Sequence, residues 1–227
     1  MRIGFYGDSF CKDKFYPKYE TYISLLLKHY SASVSHLGRP GSSLWDLIIE
    51  QFPKQENNLP DICVFCWTSH ERLYHKTVRN IRQLESLNYS STKIKITPNY
   101  SYGLNEDIWK ASEQYYKHLY DDNKARLEYK SALHYFDNVI LNSYKNTKFI
   151  HLWSFGDTKK IYDSITDTWA PENIKYMHDW TNGSELRPSL MSIATREELD
   201  YDAPNHIPGK DNNYFLFEKI KRAIDNY

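Results

Sequence analysis

The chain has no apolar stretch long enough to cross a bilayer and no leader-like apolar segment with a cleavage site at its start. The expectation is therefore a protein without membrane-spanning segments. It also lacks an excess of charge of either sign: 29 Lys and Arg stand against 29 Asp and Glu. With no basic tail or stripe, nucleic acid is not an expected partner. Only three cysteines occur, Cys11, Cys63 and Cys66, too few for a disulfide framework. Cys63 and Cys66 sit in an apolar run, where free thiols act as small hydrophobes, so a reducing, cytoplasmic compartment is expected. Neither cysteine has a second close Cys or His pair, which argues against a zinc site. No P-loop or dinucleotide fingerprint appears, and no cofactor is expected.

What is present describes a folded domain: 227 residues, 41% hydrophobic and 16% aromatic, with 20 tyrosines. Ile3 to Tyr6 reads as a buried strand, and Tyr19, Tyr22, Ile23, Leu26 and Leu27 recur at helical spacing up to about His29. Ala32 to Leu37 is a weaker strand. Ser42 or Ser43 is placed to cap a short helix carrying Leu44, Leu47 and Ile48. Asp61 to Trp67 reads as a central strand, Val78, Ile81 and Leu84 as a helix, and Ile94 to Thr97 as a further strand. Asn105 to Tyr120 and Arg126 to Leu141 read as two helices divided by Asp121-Asp122-Asn123. Lys148 to Trp153 is a strand, Ile174 to Met177 a short one, and Asn212 to Ile224 a closing helix with one apolar stripe.

Apolar strands alternating with amphipathic helices predict a three-layer α/β/α sandwich around a mainly parallel, five-stranded sheet. One domain over 1–227 is expected, with a helical insertion at about 100–145 that is a candidate lid or homodimer surface. Ligands of such sheets gather at the carboxyl ends of the strands. Ser9, the stretch Gly38 to Ser43, Thr68 to Arg72 and Ser154 to Asp157 all follow strands and should share that rim.

At the rim, Gly7-Asp8-Ser9 leaves the first strand through a turn glycine that would expose a hydroxyl. Serine needs a base within hydrogen-bond reach, and His206, ahead of the last helix, is the best candidate. Asp202 is placed to hold the other ring nitrogen of His206. Asp8, Ser42, Asn205 and Arg72 are the expected substrate-side contacts.

These residues resemble the SGNH, or GDSL-like, hydrolases, three-layer α/β esterases and lipases with a serine just after the first strand and an Asp and His near the C-terminus. The resemblance implies a flavodoxin-like SGNH fold, Ser9 as nucleophile and His206 as base. It also implies an oxyanion-hole amide from Gly41, within Gly38-Arg39-Pro40-Gly41-Ser42-Ser43. The implied reaction is metal-free hydrolysis of a small acyl ester, such as an acetyl group, on a small molecule or glycan.

Two departures stand out. The family's third block ends in Gly-x-Asn-Asp, whose asparagine donates to the oxyanion, whereas this chain has Trp67-Thr68-Ser69-His70-Glu71-Arg72. Ser69 or His70 would have to donate instead, or Thr68-Ser69-His70 merely caps a helix. The family aspartate lies three residues before its histidine, but position 203 is alanine, so Asp202 lies four before; the alternatives there are Asp200 or a serine–histidine dyad whose ring a backbone carbonyl orients. The alternatives are a catalytically weak or inactive carbohydrate-binding or structural module, with Trp109, Tyr115 and Tyr116 as candidate aromatic contacts, and an enzyme using Cys11.

Overall fold

The computed structural model describes residues 1–13, 19–52, 58–74, 106–154, 173–177, 190 and 206–227. Five parallel strands form one sheet in the order β2-β1-β3-β4-β5: β1 Arg2–Gly7, β2 Ser33–His36, β3 Ile62–Trp67, β4 Lys148–Trp153 and β5 Ile174–Tyr176. The expected helix around 78–84 and strand at 94–97 lie outside the described residues.

Alternation along the strands builds two cores, because successive side chains leave a strand on opposite faces. Ile3, Phe5, Ile62, Val64, Cys66, Ile150 and Leu152 face one layer, made by α1 (Tyr22–His29) and the C-terminal helix. Tyr6, Cys63, Phe65, Trp67, Phe149 and Trp153 face the other, which α4 (Asp122–Tyr135) and its continuation cover with Tyr129, Leu133 and Phe136. The sandwich thus has three layers, with α4 and its continuation lying on the sheet. No helix of the described residues is long and apolar enough to cross a membrane.

Local chemistry sets the helix ends. Thr21 caps α1 by accepting from the Ser24 amide, and Asp13 in turn holds the hydroxyls of Thr21 and Ser24 at 2.7 and 3.1 Å. Ser43 caps α2 (Leu44–Asp46), whose chain runs on as a π-helical turn over Leu47–Gln51. The first helix of the insertion, α3, spans Glu106–His118. Its second, α4, starts at Asp122 and not at Arg126, because Asp121 caps it by accepting from the Lys124 amide at 2.8 Å. A π turn at Phe136–Ile140 and a 3-10 turn at Leu141–Ser143 carry that chain on toward β4. The C-terminal helix, α5, spans Lys210–Asp225.

Candidate active site

The carboxyl end of β1 is where the sequence places its nucleophile, and the local backbone there admits only glycine. Gly7 has φ 140°, and a Cβ on it would stand 2.2 Å from the Cys66 carbonyl oxygen of the adjoining strand. From Gly7 the chain turns into a short 3-10 helix, Ser9–Cys11. The Asp8 side chain caps it by accepting from the Phe10 amide at 3.1 Å. Ser9 therefore sits at the first position of a helical turn directly after a central strand, with 8% of its surface exposed.

Asp8 is fully buried, and its surroundings hold the turn in place. The Ser154 hydroxyl, at the end of β4, donates to Asp8 Oδ1 at 3.1 Å, and Arg72 Nη1 lies 3.7 Å from Oδ2. Burial pushes the Asp8 carboxyl above its ordinary range. The Arg72 guanidinium, the Phe10 amide, the Ser154 hydroxyl and nearby His206 all oppose that rise. Arg72 also donates to the Ser42 carbonyl oxygen at 2.9 Å. This one guanidinium, with its side chain 8% exposed, thus ties the residues after β3 both to the β1 turn and to the loop after β2.

Two expected substrate contacts are therefore built into the interior. Asp8 is consumed by its cap and ion pair. The Ser42 hydroxyl is buried and lies 2.8 Å from Asp46 Oδ2 and 2.9 Å from the Arg39 carbonyl oxygen. Gly41, in the same loop, is buried with φ 78°, a left-handed conformation suited to glycine. The loop is held to the Ser9 turn by bonds from the Arg39 amide to the Gly7 carbonyl at 2.9 Å and from the Gly38 amide to the Cys11 carbonyl at 3.1 Å.

The largest omission of the sequence reading is Gln51. Its side chain is fully buried and pairs with both backbone groups of Gly7, accepting from the amide at 3.0 Å and donating to the carbonyl at 3.0 Å. Its Nε2 also lies 2.7 Å from Ser42 Oγ and 2.9 Å from Asp46 Oδ2. A side-chain amide thus continues the hydrogen bonding of β1 where β2 has ended. The only hint in sequence is the glutamine's place one helix beyond the glycine loop.

His206 stands across from this turn, its ring 5.4 Å from that of Phe10 in an edge-on arrangement. Its backbone is left-handed, with φ 57°. Ile207 beside it is completely buried, and Asn213 of α5 donates to the carbonyl oxygens of Ile207 and Gly209 at 2.9 Å each while accepting from the Tyr22 amide at 3.0 Å. Asn213, which sequence reasoning also missed, therefore anchors the histidine loop to the start of α1. Asp202 and Asn205 lie outside the described residues.

After β3, the two candidate oxyanion donors part company. His70 Nε2 lies 2.8 Å from Asp122 Oδ1, directed at α4. Asp122 also takes Arg126 at 2.7 Å and Tyr120 at 3.0 Å. Burial raises the Asp122 carboxyl, but Arg126, His70 and Tyr120 outweigh it and hold the group at about 2. Ser69 stays half-buried, its hydroxyl 3.4 Å from the Glu71 amide. Among the described residues, His70, Glu71 and Asp122 form the group whose donor atoms lie close enough to hold a metal, all within 4.8 Å. Arg126 already supplies a cation there. Cys11 is fully buried, and burial and Cys66 push its thiol well up, opposite to what a nucleophilic thiol requires.

No protein-family model and no curated protein matches this chain. Solved structures do. A carbohydrate esterase, described as having an active site with divergent catalytic and non-catalytic binding functions, superposes with a TM-score of 0.51 at 12% identity, covering 100% of this chain and 68% of that one. An acetylxylan esterase from Geobacillus stearothermophilus, solved as a catalytic mutant, gives 0.46 at 14% identity over 98% and 93% of the two chains. An acetyl xylan esterase from the rumen bacterium Butyrivibrio proteoclasticus gives 0.44 at 14% identity over 100% and 65%. With the parallel order β2-β1-β3-β4-β5 and helices on both faces, the chain has the SGNH-hydrolase fold shared with the first of these esterases.

Proposed function

We propose that the chain is a serine esterase that removes a small acyl group, acetyl being the simplest, from an alcohol such as a sugar hydroxyl. The observation that carries this reading is the Ser9 turn. A serine at the first position of a short helix follows a central strand, in a turn that Asp8, Arg72 and Gln51 fix through Phe10, Asp8 and Gly7, with the His206 ring against Phe10 of the same turn. Rigid elements of this kind hold a nucleophile at the rim without side-chain freedom to lose. The carbohydrate esterase of the same fold supports a sugar-borne ester.

In this mechanism Ser9 Oγ attacks the ester carbonyl while His206 takes its proton. The oxyanion rests against the amides of Ser9 and Gly41, and because His70 is bonded to Asp122, the third donor assigned is the Ser69 hydroxyl. His206 then protonates the leaving alcohol and activates water to release the acid, with Asp202 as its orienting carboxylate. No residue set in this scheme requires a metal or cofactor. Three buried free thiols support a reducing compartment such as the cytoplasm.

The test is a panel of short acyl esters presented to wild type and to Ser9→Ala. Turnover lost by a factor of about 1000 or more in a folded Ser9→Ala protein supports the assignment. Turnover that survives the substitution, or none by the wild type, would overturn it.

A further inference from the structure

Next to Arg72, which reaches Asp8 of the Ser9 turn, α2, α3, α4 and the residues after β3 line an open cavity of about 210 Å³. Its walls carry the rings of Trp45, Tyr74, Tyr115 and Tyr120 together with Glu71 and Glu128. We propose that this cavity binds a cationic amine, an alkylammonium group, carried on the alcohol half of the ester that Ser9 cleaves. The pairing with Ser9 rests on the esterase reading; the binding of the amine does not.

The aromatic part of the argument is geometric. Tyr115 and Tyr120 have centroids 6.3 Å apart at 68°, and Tyr116 stands behind Tyr120 at 5.4 Å. Two of the phenols are already taken up: Tyr74 donates to Glu50 at 3.0 Å and Tyr120 to Asp122 at 3.0 Å. These tyrosines therefore offer the cavity rings more than hydroxyls. Donation to a carboxylate leaves the ring richer in electrons, and ring faces of that kind attract a cation. Trp45, 41% exposed, supplies the strongest π face at the mouth.

Charge points the same way. Arg72 is the one Lys or Arg among the described lining residues, and its charge is directed at Asp8 and at the Ser42 carbonyl oxygen. Asp122, behind the wall, is matched by Arg126. Glu128 meets Lys124 at 3.6 Å with both side chains more than half exposed, a surface pair of little strength. Among the described residues no Lys or Arg is ion-paired with Glu71, whose carboxylate is grouped with His70 and Asp122. Electron-rich rings with an unmatched carboxylate favour a cation over a neutral polyol. A metal dication at Asp122 would have to sit against the Arg126 guanidinium, whereas an alkylammonium among the rings would not.

Calorimetric titration of the Ser9→Ala protein, which removes turnover, tests the site with choline, its uncharged isostere 3,3-dimethyl-1-butanol, and glucose. Choline should bind at least ~10-fold more tightly than the isostere, about 1.4 kcal/mol. Glu71→Gln should remove most of that preference while leaving binding of the isostere unchanged. Trp45→Ala, a change at an exposed ring, should weaken choline without unfolding the protein. Equal affinity for choline and the isostere, binding of glucose alone, or binding of none of the three would each overturn the proposal. If choline binds as expected but wild type turns over no ester, the Ser9 reading fails and the amine site stands. Ester turnover without a preference for choline would sink the amine site and leave Ser9 as the nucleophile.

Discussion

Replacing Gln51 with leucine keeps the approximate volume of the side chain but removes every hydrogen bond it makes. The Gly7 amide would be left buried without the partner it has at 3.0 Å, while the Gly7 carbonyl would lose one of two donors and keep the Arg39 amide at 2.9 Å. One unsatisfied buried polar group costs about 1–3 kcal/mol. Ser42 and Asp46 also lose the Nε2 group that lies 2.7 and 2.9 Å from them, but they retain each other at 2.8 Å. A central value of about 2 kcal/mol is a large part of the ~5–15 kcal/mol that holds a typical domain. For a chain of this length it corresponds to a fall in melting temperature of about 4–8 °C. Urea denaturation of Gln51→Leu measures the loss directly. Below the new melting temperature, the loosened Gly7 should misplace Ser9, and a displacement of ~1 Å is worth about 100-fold in rate. That loss should fall on kcat more than on KM, because Gln51 touches no substrate. Stability within about 1 kcal/mol of wild type would refute the claim that this amide completes β1. The expected stability loss with unchanged kcat would refute its role in positioning Ser9.

Two further outcomes follow from buried polar groups elsewhere. Asp137 is fully buried and accepts from the Tyr176 hydroxyl, and burial pushes its carboxyl up to about 7 from 3.8. A raised acid keeps its proton in the folded state while the unfolded chain releases it, so its contribution is intact below about pH 4 and is lost as pH rises through about 7. At about 1.36 kcal/mol per unit the loss amounts to roughly 4 kcal/mol. Asp137→Asn keeps an acceptor for Tyr176 but has no proton to lose. Its stability relative to wild type, from denaturation between about pH 4 and 8, should therefore improve as pH rises, and a difference independent of pH would contradict this. Asn213→Ala should free the His206 loop from α1, lowering kcat by about 10-fold or more and stability by about 2 kcal/mol, and an enzyme of unchanged activity and melting temperature would contradict the anchoring role.

Much of this architecture was legible because it follows from periodicity. The alternation in Ile62-Cys63-Val64-Phe65-Cys66-Trp67 distributes onto two cores as a buried parallel strand must. The place of Ser9 just after β1 was legible because a turn glycine follows an apolar run. The start of α4 was also available, since Asp121 is a good cap, but the repeated aspartates read more readily as a divider. Gln51 and Asn213 were hidden for a different reason. A polar residue in a helix ordinarily belongs to its solvated face, and only the tertiary fold shows that these two point inward at buried backbone groups. Arg72 looked like a surface cation available to substrate, and only the return of the chain beside β1 gave it Asp8 as a partner. For His70, too, only the fold shows the partner of its Nε2, since Asp122 lies far along the chain on α4.

Reaction with a fluorophosphonate probe, with the modified residue located by mass spectrometry, tests the central claim most directly. A hydroxyl activated by His206 and flanked by the amides of Ser9 and Gly41 should be labelled stoichiometrically at Ser9. Labelling should disappear in Ser9→Ala and fall steeply in His206→Ala. A folded wild-type protein that takes up no probe, or carries it on another residue, would contradict the assignment of Ser9 as the nucleophile.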